Sequence, residues 1–159
     1  MKPAEARKAY RLLLEYDGSR YHGWQKQGER QSAQGIRTVA GTLERLLHEG
    51  GLRVLALAGS GRTDIGVHAA GQVAHLHLDG AAAPPPAELR RLLDEHLPSD
   101  IAVRALAACS PAFHARHDAL ERSYLYQVSL RRSAFAKPYV WWTKGRLDLE
   151  TLEACWRLF

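Results

Sequence analysis

Between Tyr10 and Tyr16 the chain alternates: Tyr10, Leu12, Leu14 and Tyr16 are set against Arg11 and Glu15. A period of two predicts a strand with one buried face, ended by Asp17-Gly18. After Thr38 the period becomes helical, with Val39, Leu43, Leu46 and Leu47 on one side. Thr38 is placed to cap this helix and Gly50-Gly51 to stop it. Arg53 to Ala58 and Gln72 to Leu78 read as two further strands, with a glycine-rich loop between them. The Ala- and Pro-rich stretch from Gly80 to Ala87 leads to a second helix bearing Leu89, Leu92, Leu93 and Leu97. Pro98 ends that helix, and Ile101 to Leu106 supplies a fourth strand.

The order is βαββαβ. It predicts an α+β fold, a ferredoxin-like unit in which two helices cover one face of an antiparallel sheet. The open face of such a sheet is where RNA-recognition modules display aromatic and basic groups. Past residue 107 the pattern starts again. Tyr124, Tyr126, Val128 and Leu130 alternate as a strand, Pro138 to Thr143 is strand-like, and Asp148 opens a helix with Leu149, Leu152, Cys155 and Trp156. Two domains follow from this reading, 1–107 and 108–159, the second being the opening part of another, similar unit. The chain stops within the last helix, so the expectation is the N-terminal portion of a longer protein.

Composition narrows the partners. The 159 residues carry a net charge of +5, and 46% are hydrophobic. The charge points to a polyanionic partner. It is spread evenly, with 11 basic and 8 acidic groups in residues 1–80 and 11 and 9 in 81–159. A nucleic-acid surface must therefore be assembled by folding. Cys109 and Cys155 have neither metal-ligand nor redox spacing, and read as reduced thiols of a cytoplasmic protein. No apolar signal segment or membrane-length run is present, so no membrane partner is expected.

The chemistry concentrates in residues 59–71, Gly-Ser-Gly-Arg-Thr-Asp-Ile-Gly-Val-His-Ala-Ala-Gly. Asp64 stands on a loop between two strands, where rigid flanks can aim it. Arg62, two residues away, is expected to pair with the carboxylate, favour its charged form and hold a phosphate. A second mixture of charge and flat rings, Arg20, Tyr21, His22, Trp24, Gln25 and Lys26, suits phosphate and base contact, with Trp24 itself a core anchor. His114 and Arg116 suit a phosphate contact or loop packing equally, and His68 suits hydrogen-bonded support of the Asp64 loop. His75 and His77 share a strand face, and His114 and His117 are three apart. Without an acidic or cysteine partner they call for no metal.

The string Gly61-Arg62-Thr63-Asp64-Ile65-Gly66-Val67-His68 resembles the signature of the TruA family of tRNA pseudouridine synthases. Three more blocks agree in order: Glu15-Tyr16-Asp17-Gly18 with Tyr21-His22-Gly23-Trp24-Gln25, then Leu97-Pro98-Ser99-Asp100-Ile101-Ala102-Val103, then Phe113-His114-Ala115-Arg116 leading to Tyr124-Leu125-Tyr126. Ile65 and Ala40 depart from the family pattern, and the loop from Gln27 to Ile36 is long for it. The resemblance implies a uridine isomerase acting at tRNA positions 38 to 40 in the anticodon stem-loop, working as a homodimer without a cofactor. Asp64 would be the catalytic nucleophile or base. Tyr124, which alternation alone reads as core, would stack on the flipped uracil and stand near C5, where a proton departs. The resemblance also implies a cleft between two such units, so that this chain alone should be inactive. The rivals are a non-catalytic RNA-binding module and an inactive gene fragment. A retained carboxylate facing an anionic ligand argues against the first.

Overall fold

The computed structural model describes residues 7–26, 28 and 35–158. Most of the long loop between Gln27 and Ile36, and residues 1–6, lie outside the described residues. The chain divides into two units, residues 1–122 and 123–159.

In the first unit, β1 (Arg7–Tyr16) is followed by a short 3₁₀ turn (Gly18–Arg20) and α1 (Val39–Glu49). Then come β2 (Val54–Gly59), β3 (Ala69–Asp79), α2 (Pro86–His96) and β4 (Ile101–Ala108). All pairings are antiparallel, in the order β2-β3-β1-β4. The expected mixed α/β unit with a four-stranded antiparallel sheet is present. β1 is paired on both sides, which is why its alternation is the cleanest in the sequence. Tyr10, Leu12, Leu14 and Tyr16 are all buried, together with Ala74, Leu76 and Leu78 of β3 and Ile101 and Val103 of β4. Each fully buried leucine contributes about 1.5–3 kcal/mol.

The helices close this face. Thr38 accepts the Gly41 N–H as cap, and Val39, Ala40, Leu43, Leu46 and Leu47 are buried. α2 has no side-chain cap. Pro86 starts it, its fixed φ suiting the first turn, and Leu89 and Leu93 enter the core.

One expectation requires correction. The first unit runs to Arg122, and the segment after β4 folds back onto the sheet. The Cys109 N–H reaches the Ala9 carbonyl, the Arg7 guanidinium donates to the Pro111 carbonyl, and the buried Ala115 N–H donates to His75 Nδ1 at 3.1 Å. That segment also covers the second face of the sheet at His75 and His77, which are 4% and 8% exposed. The face expected to be open is therefore closed there. The rings of His77, His75, His114 and His117 follow one another, with centroids 5.1, 4.6 and 4.2 Å apart.

The second unit holds β5 (Val128–Ser129), β6 (Trp141–Trp142) and α3 (Leu149–Trp156). β5 and β6 pair in parallel. The strand expected over Tyr124 to Leu130 is only two residues long, since β6 is its sole ladder among the described residues and Trp141 and Trp142 are the residues that meet it. Asp148 caps α3 as expected, accepting the Glu150 and Thr151 N–H groups. The helix ends at Trp156, where the Arg157 N–H bonds back to the Glu153 carbonyl. Among the described residues no helix is long and apolar enough to cross a membrane.

His75 and His77 give stability a pH dependence. Burial pushes both below the usual 6.5, helped by His114 and His77 for His75, and by Arg7 and His114 for His77. The unfolded chain then binds protons more readily than the folded one, so stability is complete above about pH 6.5 and falls as pH drops below it. Thermal melts between about pH 7.5 and pH 5.5 should show a falling midpoint, flattened in the His75→Gln/His77→Gln double variant. An unchanged slope in that variant would assign the effect elsewhere.

Candidate active site

Asp64 lies on the loop from Ser60 to His68 between β2 and β3, and its side chain is exposed. The loop is held from beneath. Thr63 turns inward, its hydroxyl 2.8 Å from the Tyr16 hydroxyl at the end of β1. Its carbonyl accepts the Trp24 N–H at 3.0 Å, and the Gly66 N–H donates to the Tyr21 carbonyl at 3.2 Å. The Val67 N–H donates to the Asp64 carbonyl, closing a turn around the carboxylate. At the base, the buried Gln72 amide grips Gly61 from both ends: Nε2 donates to its carbonyl at 2.7 Å and Oε1 accepts its N–H. The same Oε1 accepts the Ser60 hydroxyl.

Two glycines make this approach possible. A Cβ on Gly18 would sit 2.0 Å from the Val67 carbonyl oxygen, and one on Gly23 would sit 2.4 Å from that of Thr63. Gly23 also has φ +84, a conformation that strains other residues. The segment between β1 and α1 thus lies backbone to backbone against the Asp64 loop. Trp24, 1% exposed, anchors that segment in the core, as expected.

His68, also a candidate RNA contact, ties back to β1. Its Nδ1 lies 3.2 Å from the Gly18 nitrogen and 3.1 Å from Asp17 Oδ1. A neutral ring accepts the Gly18 N–H there, whereas a protonated ring donates to Asp17. Either state ties the end of the loop to the end of β1.

Several expected ligand contacts are placed differently. Tyr21 is buried, so it packs and positions instead of presenting its ring to RNA. Its hydroxyl donates to Asp100 and accepts from Arg37, whose guanidinium also covers the ring. Burial first, then the Asp100 hydrogen bond and charge, push the Tyr21 phenol up to about 12. Burial likewise raises Tyr16. Arg62 and Asp64 are both exposed, and among the described residues no ion pair joins them. The spacing of the two is set by the inward anchoring of Thr63 between them, and an exposed pair would add little. Lys26 is committed to Glu44 at 2.6 Å.

Arg20, His22, Gln25 and Arg116 are exposed. His114 is half-buried; its Nδ1 accepts the Arg116 and His117 N–H groups, which favours loop packing. Tyr124, in the second unit, is 77% exposed. Among the described residues no three His, Cys, Asp or Glu side chains are arranged to hold a metal ion. Cys109 and Cys155 are free thiols. The supports that sequence reasoning missed are Tyr16, Thr63, Gln72, Asp100, Arg37 and Arg122, whose Nε donates to the Ser60 carbonyl at 2.7 Å. Gln72 carried a signal: a polar amide beginning an otherwise apolar stripe.

An exposed carboxylate on a braced loop, with a cation two residues away, can act on a ligand that arrives from solvent without the loop having to reorganise. Comparison with known proteins bears on the family of the chain. A family model described as tRNA pseudouridine synthase matches residues 13–118. The tRNA pseudouridine synthase A of Neisseria gonorrhoeae is 42% identical over 143 residues, covering 89% of this chain and 51% of its own length. That of Cereibacter sphaeroides is 42% identical over 149 residues, covering 91% and 55%. A Bacillus protein of the same name is 40% identical over 119 residues, covering 75% and 46%. The chain spans about half the length of the curated relatives it matches.

The two glycine contacts can be weighed against a control. Gly51 also has positive φ, +75, but a Cβ there meets nothing within 4 Å. Gly51→Ala should cost only the backbone strain, about 1 kcal/mol, whereas Gly23→Ala should cost roughly 3 kcal/mol or more. Only Gly23→Ala should shift the amide resonances of Thr63 and Asp64. Equal losses from both would contradict the close packing assigned to Gly23.

Proposed function

The chain belongs to the tRNA pseudouridine synthase family, and from that premise we propose that it carries the catalytic loop of an enzyme converting uridine to pseudouridine in tRNA. The observation that carries this reading is the exposed Asp64 on a loop whose backbone is fixed from Ser60 to His68 by β1, β3 and the β1–α1 segment.

The reaction breaks the C1′–N1 bond, turns the uracil, and joins C1′ to C5. The C5 proton is lost and N1 gains one, so the product is an isomer and no electrons are exchanged. A carboxylate at the sugar–base junction serves as nucleophile or base, and Asp64 takes that role. The uridine must leave its stack to reach it, at a cost of a few kcal/mol. Arg62 binds a backbone phosphate beside the carboxylate. Tyr124 stacks on the displaced uracil, with its phenol near C5. Arg20, His22, Gln25 and Arg116 supply exposed polar contacts to the RNA, and Lys26 can join them by exchanging Glu44 for a phosphate.

The substrate is the anticodon stem-loop, and the whole enzyme acts as a homodimer in the cytoplasm. Family resemblance supports both, together with the even positive charge of the chain. No cofactor is needed for an isomerisation of this kind.

A fusion of this chain to the remaining half of the Neisseria gonorrhoeae relative tests the assignment. The fusion should form pseudouridine in unmodified tRNA. Asp64→Asn keeps the size and loses the charge, so it should lower the rate by roughly a thousandfold or more with little change in tRNA affinity. A tritium-release rate near that of the parent fusion would remove Asp64 from the chemistry. Arg62→Ala should weaken both turnover and binding, and an unchanged affinity would contradict its phosphate contact.

Tyr124 separates two contributions. Tyr124→Phe retains the ring and Tyr124→Leu loses it. If stacking dominates, Phe keeps more activity than Leu; if proton removal dominates, both variants are nearly inactive. A parental rate for Leu would return this tyrosine to a packing role.

A further inference from the structure

The tip of the Asp64 loop carries a side chain that the chemistry assigned above leaves unused. The Val67 N–H donates to the Asp64 carbonyl at 3.2 Å, so residues 64–67 form a four-residue turn with Ile65 and Gly66 at its corners. Gly66 has φ +77, and among the described residues only glycines have positive φ. A negative φ at the first corner and a positive one at the second is the pattern of a type II turn. That geometry accounts for the glycine. It does not account for Ile65, because such a turn favours proline at that corner and gives a branched apolar side chain nothing to pack against.

Ile65 is 69% exposed, and Val67 beyond it is 41% exposed. A Cβ on Gly66 would meet nothing within 4 Å, so the tip projects into open space. The backbone beneath is held by Tyr16, Gln72 and the Tyr21 carbonyl, and the loop cannot turn Ile65 inward without breaking those contacts. A lone exposed apolar residue is ordinary on a protein surface. This one is the covalent neighbour of the carboxylate, with Cα atoms about 3.8 Å apart. Stacked nucleotides follow one another at about 3.4 Å along a strand, so a uridine that brings C1′ to Asp64 brings its neighbours within reach of Ile65.

Displacing that uridine from its stack bares a face of each flanking base. Aliphatic side chains set against an unstacked base recover part of the apolar contact that was lost. We propose that Ile65 packs on the face of a base beside the target uridine, bared when the uridine leaves its stack. The assignment rests on the role given above to Asp64 and extends the site to the neighbouring nucleotide. The contact meets a face and no hydrogen-bonding edge, so it favours displacement while tolerating different flanking bases.

The fusion described above supplies the test, first in its Asp64→Asn form so that bound RNA stays unreacted. With isoleucine δ1 methyls labelled, the Ile65 resonance is the one missing from Ile65→Leu. Saturating anticodon stem-loop RNA should move it upfield, since a base ring shifts a methyl lying over its face, while the resonance of the buried Ile101 stays in place. Removing the base on one side of the target uridine should abolish the shift. In the active fusion, Ile65→Ala should lower kcat/KM by about tenfold without moving the melting midpoint. Ile65→Leu, which keeps the apolar volume, should restore most of that loss. An Ile65 resonance unmoved by RNA, a shift that survives loss of either flanking base, or a parental kcat/KM for Ile65→Ala would overturn the contact. A lower melting midpoint for Ile65→Ala in the absence of RNA would overturn it too, by placing the side chain against the rest of the fusion. A parent fusion without synthase activity would instead overturn the reading of Asp64, and the methyl shift would still report whether Ile65 meets RNA.

Discussion

The contact on which the site depends is made without side chains. The backbone between β1 and α1 rests directly on the backbone of the Asp64 loop, at Gly18 against Val67 and at Gly23 against Thr63. That proximity lets the Trp24 N–H reach the Thr63 carbonyl and the Gly66 N–H reach Tyr21. Each hydrogen bond contributes on the order of 1 kcal/mol, but all of them need the same close approach. A methyl group at either glycine would break several at once. The loop is therefore fixed by sterics first and hydrogen bonding second.

From this follows a division of labour along residues 60–68. Thr63 faces inward and is bound by Tyr16, while its neighbours Arg62 and Asp64 face solvent. The inward residue sets the geometry and the outward pair is left available for a ligand. The buried polar groups around the loop, Gln72, Tyr16 and Tyr21, are each matched to partners, so the site contains rigid polar anchors without stranded ones. Pre-set geometry of this kind lowers the cost of bringing reacting atoms together.

Much of this was legible from residue order. Alternation in β1 marked the core face from Tyr10 to Tyr16, because a strand paired on both sides and covered by helices on one face leaves no ambiguity. Thr38 and Gly50 marked α1 for equally local reasons. The Asp64 loop was visible as a dense glycine string between two strands. Less visible were effects that act across long sequence separations. Nothing local tells that Tyr21 is buried against Asp100, 79 residues away, or that Ala115 lies on His75. The expected Arg62–Asp64 pair and the long strand through Tyr124 failed for a related reason. Spacing and alternation describe what a segment can do, whereas the anchoring of Thr63 and the available strand partners decide what it does.

The central claim is that the Asp64 loop is ordered before RNA arrives. Amide hydrogen exchange in the free chain tests it most directly, at Trp24, Gly66 and Val67, whose N–H groups hold the loop. The account predicts protection at all three without ligand, little changed when an anticodon stem-loop RNA is added. Exchange at the rate of an unstructured chain, with protection gained only on adding RNA, would contradict it.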